Sequence, residues 1–126
     1  MNSSKWIAAG ALLVALGVGL GAFGAHALKD RLVEAGQLDN WKTAVDYHVW
    51  HGLASILYGI HTRHAKSTAF IGWAFCLGVP LFSGSIYGLC LGGPSWLGPI
   101  TPLGGSLWIA AWIAFAVSAG RRSEPA

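Results

Sequence analysis

Histidines are the residues in this 126-residue chain that most readily suggest chemistry. His48 and His51 are three residues apart and Ser55 follows four residues later, so a helix would place all three on one face. Together with His26, the two histidines could supply three imidazole ligands to a metal ion or to haem. The signal is weak, because the chain has no His-Glu-x-x-His pattern and no cysteine or acid completes a ligand set. Hydrogen bonding between helices is the favoured interpretation, and we expect no metal and no cofactor.

Other groups that could support catalysis are scarce. The sequence contains no recognisable Ser-His-acid set and no Gly-x-Ser-x-Gly elbow. Asp46 is the only acid within an apolar stretch and lies at its edge, whereas proton and ion carriers place acids in mid-membrane. We therefore expect that the protein is not an enzyme, and transport is poorly supported.

The composition indicates that these residues belong to a membrane protein. The chain is 54% hydrophobic and 10% charged, with a mean hydropathy of +0.54, whereas soluble domains carry about 25% charged residues. Eighteen glycines and seven tryptophans suit helices that pack closely in a bilayer and are anchored at its interfaces. This balance argues against a cytosolic enzyme and against a disordered chain.

Four apolar stretches reach or approach the length needed to cross a hydrocarbon layer about 30 Å thick. We predict an all-α membrane protein, with residues 1–126 forming a single integral domain built as a four-transmembrane-helix bundle. The predicted spans are at about residues 6–28, 44–61, 68–91 and 102–119. The first stretch resembles a secretory signal, but its apolar run is longer than a signal core, so we expect it to remain uncleaved.

The basic residues predict the orientation of the four spans. Both termini and the second connector would share one side, which carries the five basic residues Lys5, Arg63, Lys66, Arg121 and Arg122. The opposite side carries the three basic residues Lys29, Arg31 and Lys42. Cytoplasmic loops are enriched in lysine and arginine, so we expect both termini in the cytoplasm and the protein in the inner cell membrane. The same asymmetry accounts for the net positive charge, so no nucleic acid is expected as a partner.

This topology gathers the less common polar residues in one leaflet, because the end of the first span and the start of the second lie at the same depth. The candidate polar cluster or ligand pocket comprises His26, Tyr47, His48, His51, Ser83, Ser85, Tyr87 and Thr101. We expect the three histidines to converge inside the bundle, with His48 and His51 contacting groups of the third span such as Ser83 or Ser85.

Small residues predict where helices approach one another. Gly17, Gly21 and Gly24 follow one another at spacings of four and three, which makes a smooth stripe on the first span. Gly84 in the third span is a further expected packing position. The stripe indicates close helix packing and no chemistry.

Two prolines predict local geometry. Pro80 near the middle of the third span removes a backbone hydrogen bond and crowds the carbonyl of Cys76, so we expect a kink there. Thr101 followed by Pro102 predicts an N-cap with proline at the first helical position of the fourth span.

Four motifs carry a family resemblance. They are GAFGAHAL (21–28), TAVDYHVWHGLA (43–54), GVPLFSGSIYGL (78–89) and LGPITPLGGSLWIAAW (97–112), and in this order they cover nearly the whole chain. With these motifs the sequence resembles the YgdD-like small membrane proteins, the domain-of-unknown-function 423 family, which is related to eukaryotic transmembrane protein 256. The resemblance implies a four-helix integral protein of the bacterial cytoplasmic membrane and no established biochemical activity.

Two functions remain open at this point. The first is a small, non-enzymatic, multi-pass inner-membrane protein that packs with itself or with a larger membrane complex. The alternative is a membrane binding module whose polar cluster holds a lipid headgroup, quinone, haem or metal. Hydrogen bonds that close within the cluster would favour the first function, and an open cavity lined by the cluster would favour the second.

Overall fold

The computed structural model describes residues 1–121, and the regular structure in that part of the chain is helical. The α-helices are α1 (Ser3–Ala25), α2 (Lys29–Glu34), α3 (Leu38–His61), α4 (Ala69–Gly78), α5 (Ser85–Cys90) and α6 (Ile100–Gly120). A π-helical segment, Val79–Gly84, joins α4 to α5, and a 3₁₀ turn, Ser95–Leu97, precedes α6. The all-α prediction is confirmed for the described residues, while Arg122, which the orientation prediction used, lies outside them.

Three stretches are long and apolar enough to cross a membrane. They are Ser3–Ala25, Ala69–Cys90 and Ser95–Gly120, and they correspond to the first, third and fourth predicted spans. Helix α3 is as long, with 24 residues, but it is less apolar because Asp39, Lys42 and Asp46 lie in its first turns.

The connector predicted between the first two spans is largely helical, because it holds α2 and the first turns of α3. Gly36 ends α2 with φ of +67°, a left-handed conformation that glycine adopts without strain. The amide of Gln37 then bonds the carbonyl of Leu32 at 2.8 Å, the pattern that closes a helix C-terminus. The predicted span covered only the apolar part of α3. Its polar first turns were not predicted, because polar residues form helices without an apolar run to indicate them.

Helices α1 and α3 lie antiparallel and in close contact along their whole length. A Cβ atom added at Gly10 would lie 2.5 Å from the carbonyl oxygen of Gly52. At the two ends of the pair, Gly59 faces Ser3 and Gly24 faces Trp41. Glycine lets the two backbones approach to a distance that no side chain allows.

The predicted packing glycines do not all behave alike. Gly17 and Gly24 lie against side chains of α3, and at Gly21 a Cβ atom would lie 3.2 Å from Val45. Gly84 was expected to be a packing position, and this is wrong, because a Cβ atom there would meet only its own segment at 3.8 Å. Gly10, which the sequence reading omitted, extends the stripe by one heptad.

Two clusters of buried side chains form the core. The larger one contains nine residues from α1, α3, α4, the π segment and α6: Trp6, Ala54, Tyr58, Ile71, Ala74, Phe75, Val79, Trp108 and Ala111. The smaller one lies towards the α2 end and consists of Leu32, Trp41 and Cys90. The candidate polar residues of α3 lie between and beside these clusters.

The irregularity predicted at Pro80 takes the form of the π-helical segment. The amide of Val79 bonds the carbonyl of Cys76, three residues back, so the carbonyl of Phe75 loses its usual helical donor. The indole of Trp108 on α6 donates to that Phe75 carbonyl at 3.2 Å. The fourth span thus satisfies a backbone group that the proline region frees, as a low-dielectric environment requires.

The N-cap predicted at Thr101 is wrong. Helix α6 begins at Ile100, and Pro99 occupies the N-cap position without a side-chain hydrogen bond. A threonine N-cap does occur at the start of α4, where Thr68 accepts from the amide of Phe70 at 3.4 Å. The Thr101 hydroxyl is therefore available for a bond to the third span.

Candidate functional site

His51 is held by hydrogen bonds on both ring nitrogens. Its Nδ1 lies 2.7 Å from the Tyr47 carbonyl, and since a carbonyl only accepts, Nδ1 carries the proton. Its Nε2 therefore accepts from the indole Nε1 of Trp112 at 3.1 Å. The ring also stacks on Trp108, with centroids 3.6 Å apart and planes 6° from parallel. These contacts fix one neutral tautomer and leave no lone pair on the ring for a metal ion.

His48 has a different environment although it lies on the same helix. Its side chain is 1% exposed, and its Nδ1 lies 3.0 Å from the hydroxyl of Tyr87 on α5. Its Nε2 is buried with no hydrogen-bond partner among the described residues, although the Leu13 backbone is close enough to interact with the ring. The ring packs over Gly17, where an added Cβ atom would lie 3.3 Å from it. His48 thus sits in the contact between α1 and α3.

The two serines of the third span bond backbone groups rather than histidines. Ser83 donates to the Ala44 carbonyl of α3 at 2.6 Å. Ser85 lies 2.7 Å from the Leu81 carbonyl and 2.8 Å from the Phe82 carbonyl. The prediction that the histidines contact groups of the third span is confirmed for His48, whose partner there is Tyr87. Neither serine is that partner, because the two hydroxyls donate to backbone carbonyls instead.

Thr101 completes the bonding of Ser85. The two hydroxyl oxygens are 2.6 Å apart. Because the single proton of Ser85 is directed at backbone carbonyls, Thr101 is the donor in this contact. The bond joins the third span to the first turn of α6.

His26 and Tyr47 lie at the margin of the cluster. His26 is the exposed C-cap residue of α1 and lines a shallow cleft with Phe23. His48 packs against Gly17 of α1. His26 lies nine residues beyond Gly17, which corresponds to about 13 Å along a helix. The prediction that the three histidines converge is therefore wrong. Tyr47 is 37% exposed and stacks on Trp108, with centroids 6.1 Å apart.

The arrangement offers little for metal or cofactor chemistry. Within residues 1–121, no three His, Cys, Asp or Glu side chains come together as a possible metal site. None of the residues His48, His51 and Ser83 lines the principal clefts in this part of the chain. Four hydrogen bonds of these residues join neighbouring helices, and this geometry can hold those helices in register.

The tryptophans that bond polar groups of neighbouring helices were not predicted from the sequence. Trp108 and Trp112 are one helical turn apart on α6 and both donate into the site. Trp41 on α3 donates to the Leu20 carbonyl of α1 at 2.9 Å. Their four-residue spacing and their indole N–H groups were available signals, but tryptophans in a membrane sequence are ordinarily assigned to the bilayer interface.

Comparison with known proteins gives the family. The family model DUF423, which is described as a protein of unknown function, matches residues 20–105. A UPF0382 membrane protein of Staphylococcus haemolyticus is 41% identical over 114 residues, which cover 90% of this chain and 93% of that protein. The UPF0382 membrane protein YwdK of Bacillus subtilis is 40% identical over 117 residues, 90% of this chain and 94% of that protein.

A relative also occurs in a eukaryote. A UPF0382 membrane protein of Schizosaccharomyces pombe is 42% identical over 107 residues, which cover 81% of this chain and 90% of that protein. No solved structure matches the chain. The family model and the near full-length relatives agree with the motifs of the apolar helices, and the chain belongs to the DUF423 family of membrane proteins.

Proposed function

We propose that the protein is a non-enzymatic, four-span component of the inner membrane that packs with itself or with a larger membrane complex. The single observation that carries this proposal is that the buried polar side chains form their hydrogen bonds within the protein. His51, Ser83 and Ser85 bond groups of their own or of neighbouring helices. A site built for substrate would leave such groups directed into a cavity.

The contact between α1 and α3 supports α3 as a membrane-spanning helix in addition to the three apolar stretches. Helix α1 has 23 residues and α3 has 24, which correspond to lengths of about 35 Å each. They are paired antiparallel from the Ser3–Gly59 end to the Gly24–Trp41 end. If α1 crosses the bilayer, then α3 crosses beside it.

The exposed side of α3 supports the same conclusion. Its last four turns present apolar side chains outward, namely Trp50, Leu53, Leu57 and Ile60. The charged residues of α3 are confined to its first three turns. The helix thus has a face for lipid over its second half and a polar start for the interface.

The charge distribution supports the orientation. Among the described residues, all four acids lie on α2 or in the first turns of α3. Among residues 1–121, the opposite end of the bundle has no acid and four bases, against three at the α2 end: Lys5, Arg63, Lys66 and Arg121 against Lys29, Arg31 and Lys42. This difference favours both termini in the cytoplasm and the α2 end on the other side.

A binding module is the second candidate, favoured by one observation. The Nε2 atom of His48 is buried without a hydrogen-bond partner among residues 1–121, and buried polar atoms in proteins are ordinarily paired. A ligand group reaching this nitrogen would need α1 and α3 to separate. Lipid headgroup, quinone, haem and metal remain the ligand classes to be tested.

Purification in mild detergent separates the two candidates. Absorbance, elemental analysis and mass spectrometry of extracted lipids and quinones report what stays bound. The packing proposal predicts no chromophore, no stoichiometric metal and an assembled mass above that of one chain on native gels. A stoichiometric haem, quinone or metal would replace it with the binding module, and a monomer with no partner in membrane cross-linking would also contradict it.

A further inference from the structure

The end of the bundle opposite α2 has two adjoining clefts between helix ends. The larger, about 730 Å³, lies between the start of α1 and the loop after α3, and its charged lining residues are Arg63 and Lys66. The smaller, about 450 Å³, lies between that loop and the end of α6, and its charged lining residues are Lys66 and Arg121. Lys66 therefore belongs to both clefts.

Within residues 1–121, nothing neutralises the cations in these clefts. No Asp or Glu of this part of the chain lines either cleft, and its four acids lie at the other end of the bundle. Among the described residues, the side chains of Arg63, Lys66 and Arg121 make no ion pair or hydrogen bond. Each cleft thus has two positive charges, with Lys66 common to both, and nothing in the described chain balances them.

The other lining groups are hydroxyls and apolar side chains. Ser3, Thr62 and Ser67 line the larger cleft, and Ser67 bonds the Ser118 hydroxyl of the smaller cleft at 3.0 Å. Trp6 contributes an apolar wall to the larger cleft. A basic rim and an apolar wall together match a phosphate diester attached to acyl chains.

We propose that this end of the bundle binds the headgroup of an anionic phospholipid. The inference depends on the bundle being embedded in a membrane but not on which end faces the cytoplasm. Basic pockets between the ends of membrane helices are suited to anionic headgroups, since each base close to the surface favours binding about fivefold. The site is distinct from the polar cluster around His48 and His51, which faces away from these clefts.

The test measures lipid preference of the full chain. Protein in mild detergent is mixed with equal amounts of phosphatidylglycerol and phosphatidylcholine of the same acyl chains, and native mass spectrometry counts the bound lipids. We expect retained phosphatidylglycerol to exceed phosphatidylcholine severalfold. In the double variant Arg63→Gln/Lys66→Gln the preference should disappear, because two bases are lost.

The matched control is Lys29→Gln/Lys42→Gln, which removes the same charge from the opposite end and should keep the preference. An equal loss in both variants would overturn the proposal, because it would show an effect of net charge and no site. Displacement of the lipid by excess inorganic phosphate would overturn it as well, in favour of a simple anion site. If the first double variant has a lowered melting temperature, Lys66→Gln alone should reduce the preference about fivefold.

These outcomes are independent of the proposed packing role. A bound haem or quinone would contradict that role and leave the lipid preference unchanged. A lipid preference that the glutamine variants do not alter would contradict the headgroup site and leave the packing role unchanged.

Discussion

At the scale of single residues, His48 and His51 show how little a shared helix face says about chemistry. His51 has a partner on each ring nitrogen and an aromatic ring against its face. His48 has one partner, Tyr87, and an unpaired nitrogen. Residues three apart differ by about 60° around a helix axis. That rotation directs His51 towards α6 and His48 towards α1 and α5.

The bond from Trp112 to His51 should contribute measurably to stability. We expect His51→Phe to lower the free energy of unfolding by roughly 1–3 kcal/mol, because it leaves the Trp112 N–H without its acceptor. Phenylalanine keeps the stacking on Trp108, so the loss reports the hydrogen bonds. Thermal unfolding in detergent measures the effect.

A double-mutant cycle assigns this loss to the pair. Trp112→Phe removes the donor, and adding it to His51→Phe should cost less than the sum of the single changes by about 0.6–1.7 kcal/mol, the range for such bonds between membrane helices. Strict additivity would show that the two side chains do not interact in the membrane.

The separation of His26 from the other histidines can be tested in the same way. His26→Ala should change the free energy of unfolding by less than about 0.5 kcal/mol, as is usual for an exposed position. His48→Ala should cost about 2 kcal/mol or more, because it leaves a cavity between α1 and α3 and a Tyr87 hydroxyl without a partner. Similar losses for both would indicate that His26 turns into the bundle after all.

At the scale of elements, the pairing of α1 with α3 depends on glycines seven residues apart. Gly10, Gly17 and Gly24 form one stripe, and Gly52 and Gly59 oppose it. Seven residues are close to two helical turns, so the stripe stays in contact with a partner that is inclined by a small angle. The third span is irregular, and there the contacts come from tryptophan and serine hydrogen bonds.

Glycines of α1 should differ sharply in their tolerance of a methyl group. Gly10→Ala should lower the free energy of unfolding by about 1–3 kcal/mol, because the new Cβ atom would lie 2.5 Å from the Gly52 backbone and the helices must separate. Gly19→Ala on the same helix should be neutral or stabilising by up to about 1 kcal/mol, since nothing lies within 4 Å and alanine favours helix.

Melting temperatures of the two variants in one detergent give the comparison. Equal stability of Gly10→Ala and the parent protein would mean that α1 and α3 are not in backbone contact. A loss for Gly19→Ala would place a partner, such as a second copy, against the outer side of α1.

At the scale of the whole molecule, charge and apolar surface are arranged along one axis. The acids of residues 1–121 lie at the α2 end, and the two clefts lined by Arg63, Lys66 and Arg121 lie at the other end. Arg31 donates to the Leu91 carbonyl at 2.9 Å and so joins α2 to the end of α5. This bond holds α2 against the end of α5.

The proposed four-span arrangement predicts which loops are accessible from each side. Tags at the two chain ends should both report cytoplasm. A cysteine placed at Glu34 should react with an impermeant reagent in intact cells, and one placed at His64 should react only after the membrane is opened. Labelling of both cysteines from one side would mean that α3 lies along the membrane surface. Chain ends on opposite sides of the membrane would contradict the four-span bundle.

The sequence by itself determined the solvent, the helical class and the family motifs. Apolar runs as long as a bilayer is thick leave few alternatives to helices, because a backbone in lipid must satisfy its own polar groups. It also located Pro80 as an irregularity and Gly17 and Gly24 as packing positions. It did not reveal α2, because a six-residue polar helix has no apolar period to mark it.

Only the tertiary structure decided which polar groups meet. The spacing of His48, His51 and Ser83 fixes their depth, but a hydrogen bond also requires that two helices present the right rotation and separation. Those quantities depend on how Gly10 and Gly52 let α1 approach α3, and on which carbonyls the π segment leaves for Trp108 and Ser85. Such contacts join residues far apart in the chain, so no local pattern could specify them. In place of the predicted three-histidine cluster, His48 and His51 form separate interhelical bonds, and His26 lies outside the bundle.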